Sequence, residues 1–303
     1  MIYRILIPSG IGDWSWSWSK LVTTCDKYHI DYIGGKPDRM HAYLSLLPND
    51  RILSFKANPD YATRWDGPEL VVFPRNVSTH PFVTKARRYD TMAPMAGAGT
   101  GLATNSRMFF VESNTHLEAG NRIEGWLGDE LPNTDLHYKI KGALDKCVKN
   151  NYFIVNYSSY GTKKAWGYYS VEDSAKFITF IAKETGMLPI FIGGDYDDYT
   201  QDIYLKLLDY KVNAVNLIGR TPALADVVAL LQQAKLYAGA CSGLMVLANV
   251  LYTPALVYYP PFAMPPGRKL AGTWHDKNIP YLSLFWDGVD KDIELSKQWL
   301  KNI

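Results

Sequence analysis

Leu236-Tyr-Ala-Gly-Ala-Cys-Ser-Gly-Leu-Met-Val-Leu-Ala-Asn-Val-Leu251 is the stretch from which the chain is best read. Leu236 to Ala240 is short, apolar and followed by small residues, the pattern of a buried strand. Cys241, Ser242 and Gly243 make a tight turn. Leu244 to Leu251 reads as a helix buried along one side, stopped by Thr253-Pro254. Strand, small-residue turn and buried helix bring the open N–H groups of a helix start to the carboxyl edge of a sheet, where a phosphate is well placed. The lack of bulk at Ser242 and Gly243 lets an anion approach the backbone. An ordinary βα turn, with glycine serving packing alone, has the same sequence, and this stretch does not separate the two.

The flanking residues repeat the alternation. Phe153 to Tyr157 reads as a strand. Ser170-Val-Glu-Asp173 resembles a capping box and opens a helix to Thr185 that Gly186 ends. Leu188 to Ile192 is a strand followed by Gly193-Gly-Asp195 and a helix to Asp209. Ala214 to Ile218 is a strand followed by Gly219-Arg-Thr-Pro222, with Thr221 as N-cap and Pro222 at the first helical position. The next helix puts Leu224, Val227, Val228 and Leu231 on one face, and Ala255 to Tyr259 is a final strand before Pro260-Pro261. Strands alternating with helices predict a parallel sheet with right-handed crossovers. Glu294 to Lys301 reads as a terminal helix.

The first half is also α/β. Arg4 to Pro8 is a strand, Ser9-Gly-Ile-Gly-Asp13 a turn, and Trp14 to Tyr28 a helix rich in tryptophan. Asp31 to Ile33, Arg51 to Phe55, Glu69 to Phe73 and Met108 to Glu112 are further strands, with a helix over Asp38 to Leu47. Asp13 is either an N-cap or a carboxylate presented to a ligand. The turn lacks the three glycines of a dinucleotide fingerprint, so a nicotinamide or flavin site is not supported. Periodicity fails over residues 74–105, where glycines, prolines and the basic Arg75, Lys85, Arg87 and Arg88 dominate. A loop of that length is usually functional or mobile. After Met108 to Glu112 comes a stretch dense in hydrogen-bonding side chains: Glu112, Asn114, His116, Glu118, Asn121 and Arg122. It reads as a site at a strand end, or as a capped surface helix with a Glu118–Arg122 pair.

Bulk properties narrow the class. The 303 residues suffice for two domains, and 47% hydrophobic with 20% charged residues is a globular composition. A formal charge of +2 does not indicate a partner such as DNA bound by charge alone. Cys25, Cys147 and Cys241 have no metal-ligand spacing and are odd in number. The start Met1-Ile-Tyr-Arg-Ile-Leu-Ile7 reads as a strand rather than a signal peptide, and no apolar run is long enough for a transmembrane segment. The expectation is a soluble, cytoplasmic protein, with the sequons at Asn76 and Asn156 arising by chance.

From Phe153 to Pro260 the chain resembles the heptosyltransferase-like (family nine) glycosyltransferases of the GT-B type. The resemblance rests on Lys164-Ala-Trp166, Gly193-Gly194, Gly219-Arg-Thr221 and Cys241-Ser-Gly-Leu-Met245, in that order, and on Gly10-Ile-Gly-Asp13 in the first half. The stretch from His116 to Ile140 also looks like the middle of related proteins carried by large tailed phages. The fold this implies is α/β and GT-B-like, with two Rossmann-like domains facing across a cleft. Its domains are an acceptor-side domain over 1–145, a nucleotide-sugar domain over 150–285, and a C-terminal helix over 286–303 packing back on the first domain.

The function implied by the resemblance is inverting, metal-independent transfer of a sugar from a nucleotide-diphosphate-sugar, with no separate cofactor. The acceptor is a hydroxyl on a glycan or lipid-linked saccharide. Asp13 would be the general base, and Lys164 would offset charge on the leaving diphosphate. The donor set would be Gly12, Tyr157, Ser158, Gly193, Gly194, Asp195, Gly219, Arg220, Cys241, Ser242, Gly243, Leu244 and Met245, with Asp195 near the donor ribose. The acceptor set would be Glu112, Asn114, His116 and Arg122. Asp195, Asp197 and Asp198 mimic a metal-binding DxD motif, but acids are expected at a helix start. The family has an acid where this chain has Cys241 and a histidine where it has Val246. That puts ADP-heptose in question as donor and leaves room for a non-catalytic nucleotide-sugar-binding relative. Two further alternatives are a nucleotide-sugar epimerase or hydrolase on the same architecture, and a transferase acting on a modified DNA base, for which the basic loop from Arg75 to Arg88 is the support.

Overall fold

The computed structural model describes residues 2–8, 27–33, 52–57, 69–73, 100–102 and 108–112 as backbone, and residues 151–157, 170–221, 224–259, 279–285 and 287–303 beyond them. The chain divides into two compact units, Met1–Pro132 and Asn133–Ile303.

The first unit carries strands β1 (Ile2–Pro8), β2 (Lys27–Ile33), β3 (Ile52–Ala57), β4 (Glu69–Phe73), β5 (Thr100–Leu102) and β6 (Met108–Glu112) in the order β3-β2-β1-β4-β6-β5. All neighbours are parallel except β5 and β6. Two expectations are corrected. Lys27 and Tyr28 belong to β2, not to a preceding helix: the register with β1 begins at Ile2 opposite Lys27. The alternation of polar with aromatic and β-branched residues in Lys27-Tyr-His-Ile-Asp-Tyr-Ile33 suits a pleat. Within the stretch read as irregular, Thr100–Leu102 forms a short antiparallel edge against Phe109, Phe110 and Val111. Three residues centred on glycine carry no periodic signal.

The second unit has β7 (Tyr152–Asn156), α1 (Val171–Thr185), β8 (Leu188–Phe191), α2 (Asp198–Asp209), β9 (Val215–Asn216), α3 (Leu224–Gln233), β10 (Leu236–Ala240), α4 (Gly243–Val250), β11 (Ala255–Tyr258), β12 (Tyr281–Leu284) and α5 (Val289–Leu300). Its sheet is parallel throughout, in the order β12-β11-β10-β7-β8-β9. Counted within the unit from β9 across to β12, that order is 3-2-1-4-5-6, the doubly wound arrangement whose strand order reverses between strands one and four. The reversal therefore lies between β7 and β10. Burial explains the composition of these strands: every residue of β7, β10 and β11 is buried, so they read as unbroken apolar runs rather than alternating ones.

Local signals set the helix ends. The Ser170 Oγ accepts the Asp173 N–H at 3.0 Å and donates its own proton to Asp173 Oδ2 at 2.8 Å. Gly186 ends α1 in the left-handed region at φ 67°, its N–H bonded to Ala182 O. In α3 the buried residues are Asp226, Val228, Ala229, Leu230 and Leu231, while Leu224 and Val227 are half-buried. The covered face is thus rotated from the one read in the sequence. Pro222 and Ala223 lie outside the described residues. β9 is shorter than the strand expected from Ala214 to Ile218.

The core joins Phe153, Val155, Phe177, Ile178, Ile181, Phe191, Leu256 and Tyr258, with Phe177 set edge-on to Tyr258 at 5.2 Å. Each such side chain contributes about 1.5–3 kcal/mol by leaving water. The sixth strand, β12, was not expected. It pairs Tyr281 with Ala255 and Leu284 with Tyr258. Helix α5 begins at Val289 rather than Glu294 and packs on α1 and β12 of its own unit. Leu300 enters the core and Lys176 meets Asp290 at 2.6 Å. No helix among the described residues is long and apolar enough to cross a membrane.

Candidate active site

The carboxyl ends of β10, β7, β8 and β9 form one continuous edge, held by hydrogen bonds between neighbours. From β10, the buried Tyr237 sends its hydroxyl toward the Asn156 carbonyl of β7 at 3.4 Å and the Ala240 carbonyl at 3.2 Å. From β7, the Asn156 Nδ2 donates to Ile192 O at 3.0 Å and lies 3.5 Å from Asp197 Oδ2. That same Oδ2 accepts the Gly194 N–H at 2.9 Å. From β9, the Gly219 N–H donates to Gly193 O at 2.9 Å. Cys241, Asn156, Gly193 and Gly219 thus follow one another along the edge, on both sides of the strand-order reversal.

At the reversal stands the start of α4. Ser242 is its N-cap residue, in extended conformation, and its side chain makes no capping hydrogen bond. Its Oγ lies 3.4 Å from the Tyr237 hydroxyl instead. The first bond of the helix runs from Val246 N–H to Ser242 O. The N–H groups of Gly243, Leu244 and Met245 precede it, so they have no acceptor within the helix and carry the positive end of its dipole. Open N–H groups at the positive end of a helix dipole are a setting in which an anion is stabilised.

The groups beside that start are neutral. Burial pushes the Cys241 thiol up to about 12, against a smaller opposing effect of its hydrogen bond with Tyr259. The Tyr259 and Tyr281 hydroxyls meet at 2.6 Å, and burial raises Tyr281 well above the ordinary phenol range. The thiol stays protonated at neutral pH and adds no negative charge where an anion would sit.

The structure sorts the residues expected from the sequence. Gly193, Gly194, Cys241, Ser242, Gly243 and Leu244 are partly exposed at this edge, and Asp195, Gly219 and Arg220 are exposed there. Two of the expected residues are buried. The Tyr157 ring is wholly covered, packed against Tyr258 and Tyr199, while its N–H donates to Thr200 Oγ1 at 3.1 Å. It belongs to the core. The Met245 side chain is likewise buried, which leaves its backbone N–H as the group that can face a ligand. Glu112 ends β6, opposite Phe73 of β4. Gly12, Asp13, Asn114, His116, Arg122, Ser158 and Lys164 lie outside the described residues, as do Cys25, Cys147, the helix over 38–47 and most of the loop over 74–105. Asn156, Tyr237, Tyr259 and Tyr281 were not singled out as site residues from the sequence, and Asp197 entered only as part of the acidic run after Gly194. Asn156 had one signal, a polar residue closing the apolar run Tyr-Phe-Ile-Val.

An α/β fold of two Rossmann-like units, GT-B-like, is the class these features define. The chain is similar over its whole length to a family 9 glycosyl transferase from Veillonella parvula, with 12% identity, 98% of that chain covered and a TM-score of 0.62. It is also similar to the ADP-heptose lps heptosyltransferase II of E. coli, with 16% identity, 100% and 99% of the two chains covered and a TM-score of 0.58. A UDP-GlcNAc 2-epimerase from Neisseria meningitidis, solved with UDP-GlcNAc, shares the fold at 13% identity, 99% and 92% coverage and a TM-score of 0.57. No family model and no curated protein matches the chain.

Proposed function

We propose that this protein is a nucleotide-sugar glycosyltransferase working in the cytoplasm without a metal. It would move a sugar with inversion from a nucleotide-diphosphate-sugar to a hydroxyl of a glycan or lipid-linked saccharide. The observation that carries this is the uncapped start of α4 at the reversal point of a 3-2-1-4-5-6 sheet. In this reading Asp13 takes the proton of the acceptor hydroxyl as its oxygen bonds to the anomeric carbon. The bond from that carbon to phosphate breaks, and the nucleoside diphosphate leaves with the electron pair. Lys164 and the N–H groups of Gly243, Leu244 and Met245 offset its charge. Asp195, exposed beside Gly219, is suited to a ribose hydroxyl. Glu112, Asn114, His116 and Arg122 are assigned to the acceptor. The likeness of residues 116–140 to phage-carried relatives supports a phage-type member.

The test is thermal stability against a panel of nucleoside diphosphates and nucleotide-sugars, for wild type and Lys164→Ala. A diphosphate-dependent rise that the substitution weakens supports the donor site and identifies the base; Asp13→Asn then abolishes turnover while leaving that rise in place. A melt unmoved by every nucleotide overturns the reading. A second reading is nucleotide-sugar epimerisation, favoured by the fold shared with the 2-epimerase. An altered sugar nucleotide formed without acceptor would select it.

A further inference from the structure

We propose that Asn156 binds the donor substrate directly, accepting a hydrogen bond from one of its hydroxyl or N–H groups, and that Asp197 is the positioning residue that holds the Asn156 amide for this task. The inference rests on the donor-site reading above. Asn156 is the last residue of β7, beside the strand-order reversal and between the ends of β10 and β8.

The orientation of its amide is forced. Its Nδ2 faces the Ile192 carbonyl at 3.0 Å and the Asp197 carboxylate at 3.5 Å, both of them acceptors. The end turned to them is therefore the NH₂, and the other end is the carbonyl oxygen. That Oδ1 is buried and has no hydrogen-bond partner, in a residue only 1% exposed. A buried acceptor left alone is costly, and native structures seldom carry one without a reason. Asp197 is itself buried and locks the arrangement by also taking the Gly194 N–H at 2.9 Å. Glycine at 193 is required for it, since a Cβ there would overlap Asp197 Oδ2 and stand 3.2 Å from Asn156 Nδ2.

An acceptor selects a donor. A diphosphate at neutral pH offers oxygens that accept hydrogen bonds, so it is the wrong partner for Oδ1. A sugar or ribose hydroxyl, or an amide or base N–H, is the right one. The edge is thus divided, with the α4 start taking the phosphates and Asn156 taking a neutral donor group.

The experiment measures equilibrium binding of the full chain to nucleoside diphosphates, nucleotide-sugars and analogues lacking one hydroxyl or N–H donor each. Wild type, Asn156→Ala and Asn156→Ser are compared, serine being the milder change should alanine not fold. Wild type should lose roughly three- to tenfold in affinity on deletion of one particular donor group, the size of one neutral hydrogen bond. The variants should lose the same factor on the intact ligand and be indifferent to that deletion. Asp197→Asn, which keeps an acceptor oxygen for Asn156 and Gly194, should preserve the discrimination, and Asp197→Ala, which leaves the Asn156 amide held by the Ile192 carbonyl alone, should reduce it. Variants that weaken every ligand equally, or none, overturn the inference, as does an ordered water on Oδ1 in a ligand-bound crystal structure. If wild type binds no nucleotide at all, the donor-site reading fails and this inference falls with it; binding without the coupling overturns this inference alone.

Discussion

Gly239 of β10 faces the Asn156 carbonyl of β7 so closely that a Cβ at position 239 would overlap that oxygen and approach the Tyr237 hydroxyl to 2.9 Å. The contact lies between the two strands that flank the order reversal. Gly239→Ala must therefore push β7 and β10 apart where the candidate site is built. The expected cost is about 1–3 kcal/mol in a denaturant melt, the usual size of overpacking. Nucleotide binding should fall by more than the stability loss explains, because the Asn156 and Ser242 ends separate.

Asp197 ties the ends of β7 and β8 through one oxygen that serves Asn156 Nδ2 and Gly194 N–H. Asp197→Ala removes the acceptor of the Gly194 N–H and one of the two acceptors of the buried Asn156 Nδ2, and should destabilise by about 1–3 kcal/mol. Asp197→Asn retains an oxygen and should cost less than alanine. Urea unfolding of the two variants checks the order; equal losses would show that the charge, not the acceptor, matters.

Helix α1 offers two independent tests of local control. Ser170→Ala removes the acceptor for the Asp173 N–H and should cost about 1 kcal/mol. Gly186→Ala meets nothing within 4 Å, so its whole cost is the left-handed backbone at φ 67°, about 1–2 kcal/mol. The positions are at opposite ends of the helix and share no partner, so the double variant should show the sum.

Alkaline pH should loosen the fold through Cys241. Its thiol is held protonated up to about 12 in the folded chain, against 9.0 when unperturbed. Below about pH 9 both states keep the proton and the stability is complete. Between there and about 12 the unfolded chain releases it while the folded chain does not, so stability falls as pH rises. Burial shifts Tyr152 and Tyr281 upward as well, adding in the same direction. With Cys25 and Cys147 replaced by serine, the unfolding midpoint should fall more steeply above pH 9 than after the further change Cys241→Ser. Parallel curves would refute the assignment.

Much of the second unit was legible because its signals are local. Strands β7, β8, β10 and β11 are buried on both faces and so appear as apolar runs. Ser170 and Gly186 mark the ends of α1 by chemistry confined to one turn. β12 escaped notice because Tyr281-Leu-Ser-Leu284 is mostly half-buried and neither alternates cleanly nor runs apolar. Its identity as a strand comes from pairing with β11. The burial of Tyr157 was not legible for a related reason. A tyrosine after a strand end suits a ligand contact or a core equally well, and only the positions of Tyr199 and Tyr258 decide between them.

By itself the sequence determined the alternation of strands and helices and the small-residue turns at strand ends, since periodicity, caps and glycine turns act over a few residues; that Ser242 leaves the α4 start without a side-chain cap came from the structure. Only the tertiary structure decided the order 3-2-1-4-5-6, and with it the meeting of Cys241, Asn156, Gly193 and Gly219 along one edge. Asn156 and Asp197 are 41 residues apart and Asn156 and Tyr237 are 81 apart. Hydrogen bonds across such separations exist only once the strands have paired, so the groups that define the site have no signature in the residues beside them.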